Sequence, residues 1–228
     1  GVEKLASRAM KKIPSGVGKV DSLLSGGLPV GFITHIFGPK GGGKTTFSIQ
    51  CALNASSYGT KVFYIDAEHS LHPKRLQQLL LYKGDLRKIM VVKPFSFMEQ
   101  ERIIEQLSAS TPLYSLIIID SIASMYRLEL EEKEKNIIAN RRLNMQLAEL
   151  LAIAQKTFSA VLLTNQVTFD PETGEMRPVG ENVVSYWSAV DLKMERITPG
   201  KVKVTLIKGE AGKVGSCVEL ILSERGLT

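Results

Sequence analysis

Residues 38–45 read Gly-Pro-Lys-Gly-Gly-Gly-Lys-Thr, and few short runs restrict a fold so tightly. They fit the spacing G-x-x-x-x-G-K-[ST]. Glycines there let backbone N–H groups curl around an anion without Cβ clashes. Lys44 can reach β- and γ-phosphates as a point charge, and the Thr45 hydroxyl can ligate Mg²⁺. With Gly at roughly 7% of residues, a random chain of this length would match about once in a hundred. The pattern also demands a strand before it and a helix after it. Ile33–Phe37 is an apolar run of strand type, and 46–55 continues without Gly or Pro. The reading is a strand–loop–helix unit that cradles nucleotide phosphates. Its cradle is Gly38, Pro39, Lys40, Gly41, Gly42, Gly43, Lys44, Thr45 and Thr46.

Strands and helices alternate beyond this unit. Apolar runs predict strands at 61–66, 89–92, 116–120 and 160–164. Helices are expected at 73–82, with Pro73 in the first turn, and at 97–108 and 136–156. Leu116-Ile117-Ile118-Ile119 is apolar throughout, as a parallel strand covered on both faces should be. After Pro178 the character changes. Strands at 189–195, 201–207 and 217–222, joined by turns at Pro199-Gly200 and 209–215, suggest antiparallel strands closing one sheet edge. The expected fold is α/β: a mostly parallel central sheet flanked by helices, with antiparallel strands at the C-terminal edge. With no internal repeat or linker in view, a basic segment over 1–14 and one domain over 15–228 are expected.

Composition supports a buried core: 44% of the 228 residues are apolar. No apolar run approaches the ~20 residues of a membrane helix. No secretory signal is visible. Cys51 and Cys217 lack metal-ligand spacing and read as buried small apolar residues of a reducing compartment. A cytoplasmic protein without a membrane partner is expected. The three histidines are scattered and form no metal cluster. A net charge of +6 is compatible with nucleic acid. Lys4, Arg8, Lys11, Lys12 and Lys19 concentrate positive charge near the N-terminus, as a solvated arm or as a DNA contact.

Three further strand ends carry polar groups. Asp120 closes an apolar strand, where a carboxylate points into the crevice in which open α/β sheets bind ligands. There it can hold Mg²⁺ through water, opposite Thr45. Asp66-Ala67-Glu68 follows the second strand. Glu68 could orient and deprotonate an attacking water; a turn or capping carboxylate is the plainer alternative. Thr164-Asn165-Gln166 ends the fifth strand. The Gln166 amide could sense a γ-phosphate and relay its loss to the following loop, or simply be a satisfied strand end. Together these groups describe triphosphate hydrolysis coupled to a moving loop. A small-molecule kinase would usually add an arginine-bearing lid, and no such sequence is evident.

The chain resembles the RecA/RadA recombinase family over nearly its whole length. The resemblance rests on Ser15-Gly16, the stretch from Asp21 to Leu28 before the phosphate loop, Tyr64-Ile65-Asp66-Ala67-Glu68, Pro73-Lys74-Arg75-Leu76, Asp120-Ser121-Ile122 and Thr164-Asn165-Gln166-Val167. It implies a RecA-like ATPase core using ATP and Mg²⁺, with Glu68 activating water, Lys44 on the phosphates and Gln166 as sensor. Arg75 falls where an arginine packs on adenine in RadA-type members. Within the family the chain is most similar to short archaeal paralogues of RadA, through 95–102, 121–127 and 165–170. That implies an accessory role in homologous recombination and repair, feeble ATP hydrolysis, and non-specific binding of single- or double-stranded DNA. It also implies the main RadA-type recombinase as partner and leaves room for a homo-oligomer.

Departures from the family pattern are equally informative. A helix-hairpin-helix domain ahead of the core is not expected, and residues 1–16 lack a Phe-x-x-Ala polymerisation motif. Both weigh against autonomous filaments and strand exchange. The first expected DNA-binding loop, 126–134, holds four carboxylates, which repel phosphates. Arg127 is its best candidate contact. The second loop, 169–182, is acidic too, with Arg177 its only cation. Lys208 and Lys213 flank a glycine-rich tip and are further candidates for DNA or a neighbouring subunit's nucleotide. The alternatives are a strand-exchange recombinase forming filaments and an ATP-dependent regulator that does not bind nucleic acid.

Overall fold

The computed structural model describes residues 11–74, 77, 84–130 and 133–228. Lys12–Ile13 (β1) and Leu28–Pro29 (β2) form a small antiparallel ribbon flanking a short helix, Gly18–Leu23 (α1). Ile33–Phe37 (β3) runs through the 38–43 loop into Lys44–Ser57 (α2). Next come Val62–Asp66 (β4), Ile89–Val92 (β5), Phe97–Ser110 (α3), Leu116–Asp120 (β6) and the single turn Ser124–Arg127 (α4). Lys133–Thr157 (α5), Ala160–Asn165 (β7), Val167–Phe169 (β8), Met176–Pro178 (β9) and Glu181–Trp187 (α6) follow. Val190–Thr198 (β10), Lys201–Lys208 (β11), Cys217–Ser223 (β12) and Gly226–Leu227 (β13) complete the chain.

Nine strands make the main sheet, in the order β13-β12-β11-β10-β3-β7-β6-β4-β5. From β10 to β5 neighbouring strands pair in parallel; from β10 outward to β13 they pair antiparallel. The expected α/β architecture is therefore present, antiparallel edge included.

Alternation along the central strands sorts the core into two layers. Leu116 and Ile118 of β6 pack with Phe47, Ile49 and Ala52 of α2. Ile117 and Ile119 pack on the other face with Ile104 of α3 and Leu143, Leu147 and Leu150 of α5. A strand covered on both faces has no exposed side, which is why its sequence lacks polar alternation. Helix α3 starts at Ser96, whose Oγ accepts from the Glu99 N–H at 3.1 Å. The Glu99 carboxylate in turn accepts from the Phe95 N–H at 2.8 Å, a reciprocal cap. The Gln100 amide donates to Gln146 at 2.9 Å and so ties α3 to α5 inside the core.

Some expectations need amendment. The second loop, expected over 169–182, is partly ordered: β8 and β9 pair as a ribbon, and α6 begins at Glu181. Its turn is set by Asp170, whose Oδ1 accepts from the N–H groups of Glu172 and Thr173. Cys51 is fully buried, but Cys217 is exposed, because it opens an outer strand whose alternate residues face solvent. The helix expected at 73–82 lies largely outside the described residues. Among the described residues no helix is long and apolar enough to cross a membrane.

Candidate nucleotide-binding site

Four adjacent parallel strands, β3, β7, β6 and β4, end on one edge of the sheet. Their ends carry the 38–43 loop, Gln166, Asp120 and Glu68, so the polar groups singled out from sequence converge in space.

The loop requires glycine at 38, 41, 42 and 43. A Cβ on Gly38 would collide with the Met194 carbonyl of β10, and one on Gly42 would lie 3.1 Å from the Pro39 carbonyl. Gly41 and Gly43 have φ of +78° and +97°, left-handed values that other residues adopt at a cost. Gly43 then leads directly into α2, whose first N–H groups are unpaired donors at the positive end of the helix dipole. Gly38→Ala should therefore cost about 1–3 kcal/mol, as overpacking against fixed backbone does, and weaken ATP binding with it. Thermal melting and nucleotide titration would check this; a variant indistinguishable from the parent would refute the steric account.

Lys44 is buried, and its ammonium donates to the carbonyls of Gly38 at 2.7 Å and Pro39 at 2.9 Å. Those contacts aim the amine at the mouth of its own loop. Burial lowers its pKa, opposed by the charges of Glu68 and Asp120. Lys40 is exposed, and Thr45 and Thr46 are partly exposed at the start of α2.

Asp120 is buried at the end of β6. Its Oδ2 accepts from the Tyr64 hydroxyl at 2.7 Å and its Oδ1 from the Thr164 hydroxyl at 2.6 Å. Burial raises its pKa, while hydrogen bonds from Thr164, Tyr64 and Thr45 oppose the rise. Tyr64 is pushed up in turn by burial and by the Asp120 charge. A hydroxyl and a carboxylate within hydrogen-bonding reach, beside a glycine cradle, suit Mg²⁺, which takes one or two protein oxygens and completes its shell with water and phosphate.

The carboxylates of the 66–68 turn divide their duties. Asp66 is buried and accepts from the N–H groups of Ser70 and Leu71 at 3.0 and 3.1 Å, which fixes the turn. Glu68 faces the site instead. Its Oε1 accepts from the Gln166 amide at 2.7 Å and the Ser124 hydroxyl at 3.2 Å. The Gln166 carbonyl oxygen accepts from the Arg127 guanidinium at 2.7 Å. Arg127, the candidate contact of the 126–134 loop, thus touches the Gln166 amide.

The other candidate cations lie elsewhere. Arg177 pairs with Glu175 at 3.2 Å and Asp170 at 3.8 Å on the β8–β9 ribbon. Lys208 donates to the carbonyls of Ser185 and Ser188 at 2.6 Å, and Lys213 donates to the Ser22 carbonyl and the Ser25 hydroxyl. Arg75 lies outside the described residues.

Sequence reasoning passed over Tyr64, Ser124 and Met194. Tyr64 sits mid-strand in β4, and only the register beside β6 brings its hydroxyl to Asp120. Met194 acts through its backbone, which no side-chain pattern reports.

Comparison with known proteins agrees with this geometry. The chain matches the Rad51 family over residues 7–226. It is 37% identical over 211 residues to the DNA repair and recombination protein RadB of Methanococcus maripaludis strain C7, covering 91% of this chain and 96% of that protein. The protein of the same name from Thermoplasma volcanium is 34% identical over 223 residues, covering 96% and 93%. A crystal structure of the RadB recombinase superposes with a TM-score of 0.80 at 32% identity, covering 94% of this chain and 98% of that one. A glycine cradle, a buried strand-end aspartate and a match along nearly the whole sequence lead to one conclusion: this chain belongs to the Rad51 family, whose members are ATPases.

Proposed function

We propose that this chain is a RadB-like accessory factor of homologous recombination and DNA repair, working as a slow, Mg²⁺-dependent ATPase. Residues 15–228 would act as one ATPase domain. The convergence of Lys44, Asp120, Glu68 and Gln166 on one sheet edge is the observation that carries the reading. The loop and Lys44 would hold the phosphates, and Thr45 with Asp120 would hold Mg²⁺. Bound there, Mg²⁺ would neutralise charge on the phosphate oxygens. Glu68 would orient and deprotonate water, and Gln166 would report the γ-phosphate to 167–182. Slow turnover is expected, because charge on a leaving phosphate is commonly stabilised by a cation that a second subunit supplies.

The accessory role draws on the relatives' shared name, DNA repair and recombination protein. Its partners would be DNA, bound without sequence preference, and the main RadA-type recombinase. The test is D-loop formation by the cognate recombinase with and without this protein at saturating ATP. A changed yield or rate is expected, and no effect would sink the role.

A second reading, an ATP-dependent regulator that does not bind nucleic acid, is favoured by the in-chain partners of Arg127, Arg177, Lys208 and Lys213. The same samples decide it. DNA binding that weakens steeply with salt supports the first reading; absent binding at low salt supports the second.

A further inference from the structure

The sheet edge opposite the nucleotide site carries a concavity of its own. It lies where β4, β6 and β7 begin and α2 ends, and its volume is about 350 Å³. That is the small end of the ~300–1,000 Å³ range of ligand sites. Three aromatic rings line it: Tyr58, Tyr114 and Phe158. They are 72%, 52% and 38% exposed, so they do not serve as core. Tyr114 and Phe158 stack on each other, with centroids 6.1 Å apart and planes 27° from parallel. The Lys11 ammonium stands 4.6 Å from the centre of the Tyr114 ring. Among the described residues no carboxylate lines the cavity.

The backbone under two of these rings favours glycine. Phe158 has φ of +52° and is the first residue past α5, where helices commonly end on glycine. Tyr114 has φ of +61°, and its N–H donates to the Thr157 carbonyl at 2.8 Å. A bulky side chain is strained in that conformation. Two linked positions thus carry exposed rings where glycine would sit more easily, and strain tolerated at a surface cavity points to a use for the side chains. Ring faces beside an ammonium suit a planar base joined to a phosphate. Every base has a π-face, so stacking asks for no sequence. A lysine over a ring makes no hydrogen bond there, and its three N–H donors can turn to an anion. Lys12 in the lining, with Lys4 and Arg8 earlier in the sequence, adds positive charge, whereas the loops beside the nucleotide site are acidic.

We infer that this cavity is a binding site for single-stranded DNA: it takes one base among Tyr58, Tyr114 and Phe158, with Lys11 against the adjoining phosphate. The site rests on the reading that the chain binds DNA, and it gives that binding a place away from the acidic loops. It also stands apart from ATP, on the far edge of the sheet, so a single strand and a nucleotide can be held together.

The test is fluorescence anisotropy of labelled oligo(dT) on the full chain, at low salt and without nucleotide. Tyr114→Gly and Phe158→Gly each remove a ring and relax a left-handed backbone, so both should fold as the parent does, which thermal melting checks. Each should weaken oligo(dT) binding about tenfold or more, as loss of a base–aromatic stack does. Binding of duplex DNA, whose bases are already stacked on one another, should stay as in the parent. Lys11→Ala should weaken oligo(dT) binding and reduce the slope of log K against log salt by about 0.7, the share of one phosphate contact on a single strand. ATP·Mg²⁺ affinity should be unchanged in every variant. Parental oligo(dT) affinity in the glycine variants, or an equal loss for single strand and duplex, would overturn the site and leave DNA binding by the chain standing. A parent that binds no oligo(dT) would overturn both.

Discussion

Lys44→Ala is expected to lower ATP affinity by about a hundredfold or more, the largest effect on binding of any single substitution in the site. A charge-assisted hydrogen bond contributes about 1.5–3 kcal/mol. Two such bonds to phosphate oxygens amount to at least about 3 kcal/mol, and each 1.4 kcal/mol is tenfold in Kd. The loss has a second source. The amine now satisfies the Gly38 and Pro39 carbonyls from inside the loop, and alanine would leave both without their donor. The cradle itself would loosen. Isothermal titration with ATP·Mg²⁺ gives the answer, and an unchanged Kd would show that the loop does not hold phosphates.

Glu68→Gln should separate binding from chemistry. A positioned general base contributes about 10²–10⁴-fold in rate, so turnover should fall by that order while ATP affinity stays unchanged. The substitution is gentle for a structural reason. Glutamine keeps a carbonyl oxygen that can accept from Gln166 and Ser124, so both contacts survive. Only the capacity to take a proton is removed. Titration and phosphate release on one preparation decide the matter. Equal loss of binding and turnover would make Glu68 a structural group.

Much of this site was legible because its chemistry is written in local runs. The strands at 33–37 and 116–120 fall where the apolar runs place them, since a strand buried on both faces must be apolar along its length. The glycines of the 38–45 loop signal backbone geometry directly. Glu68, Asp120 and Gln166 were readable as strand-end groups, and alternating strands and helices imply that such ends share an edge.

What escaped detection depends on register and on short-range turns. The sequence carries no mark that Tyr64 would donate to Asp120, because the partner is chosen by the offset of β4 on β6. The two-residue strands β1, β2 and β13 are too short for any periodicity. The β8–β9 ribbon hides in a stretch whose acidic composition reads as loop, since its order comes from the Asp170 turn. Cys217 looked apolar and buried because residue type says nothing about which face of an edge strand it occupies. Arg127 was legible as a cation of the 126–134 loop, yet its partner Gln166 is supplied by the end of a different strand.

The placement of β3 bears on how the protein comes to exist in the cell. This strand feeds the phosphate loop, and its sheet partners are β7 on one side and β10 on the other, Ile33 beside Val161 and Thr34 beside Val190. Both partners are synthesised long after it. During translation β3 therefore waits without its sheet partners, and closure of so large a loop comes with an entropic penalty before any contact rewards it. The sheet around the phosphate loop cannot close until the final third of the chain arrives to enclose a strand made near the start.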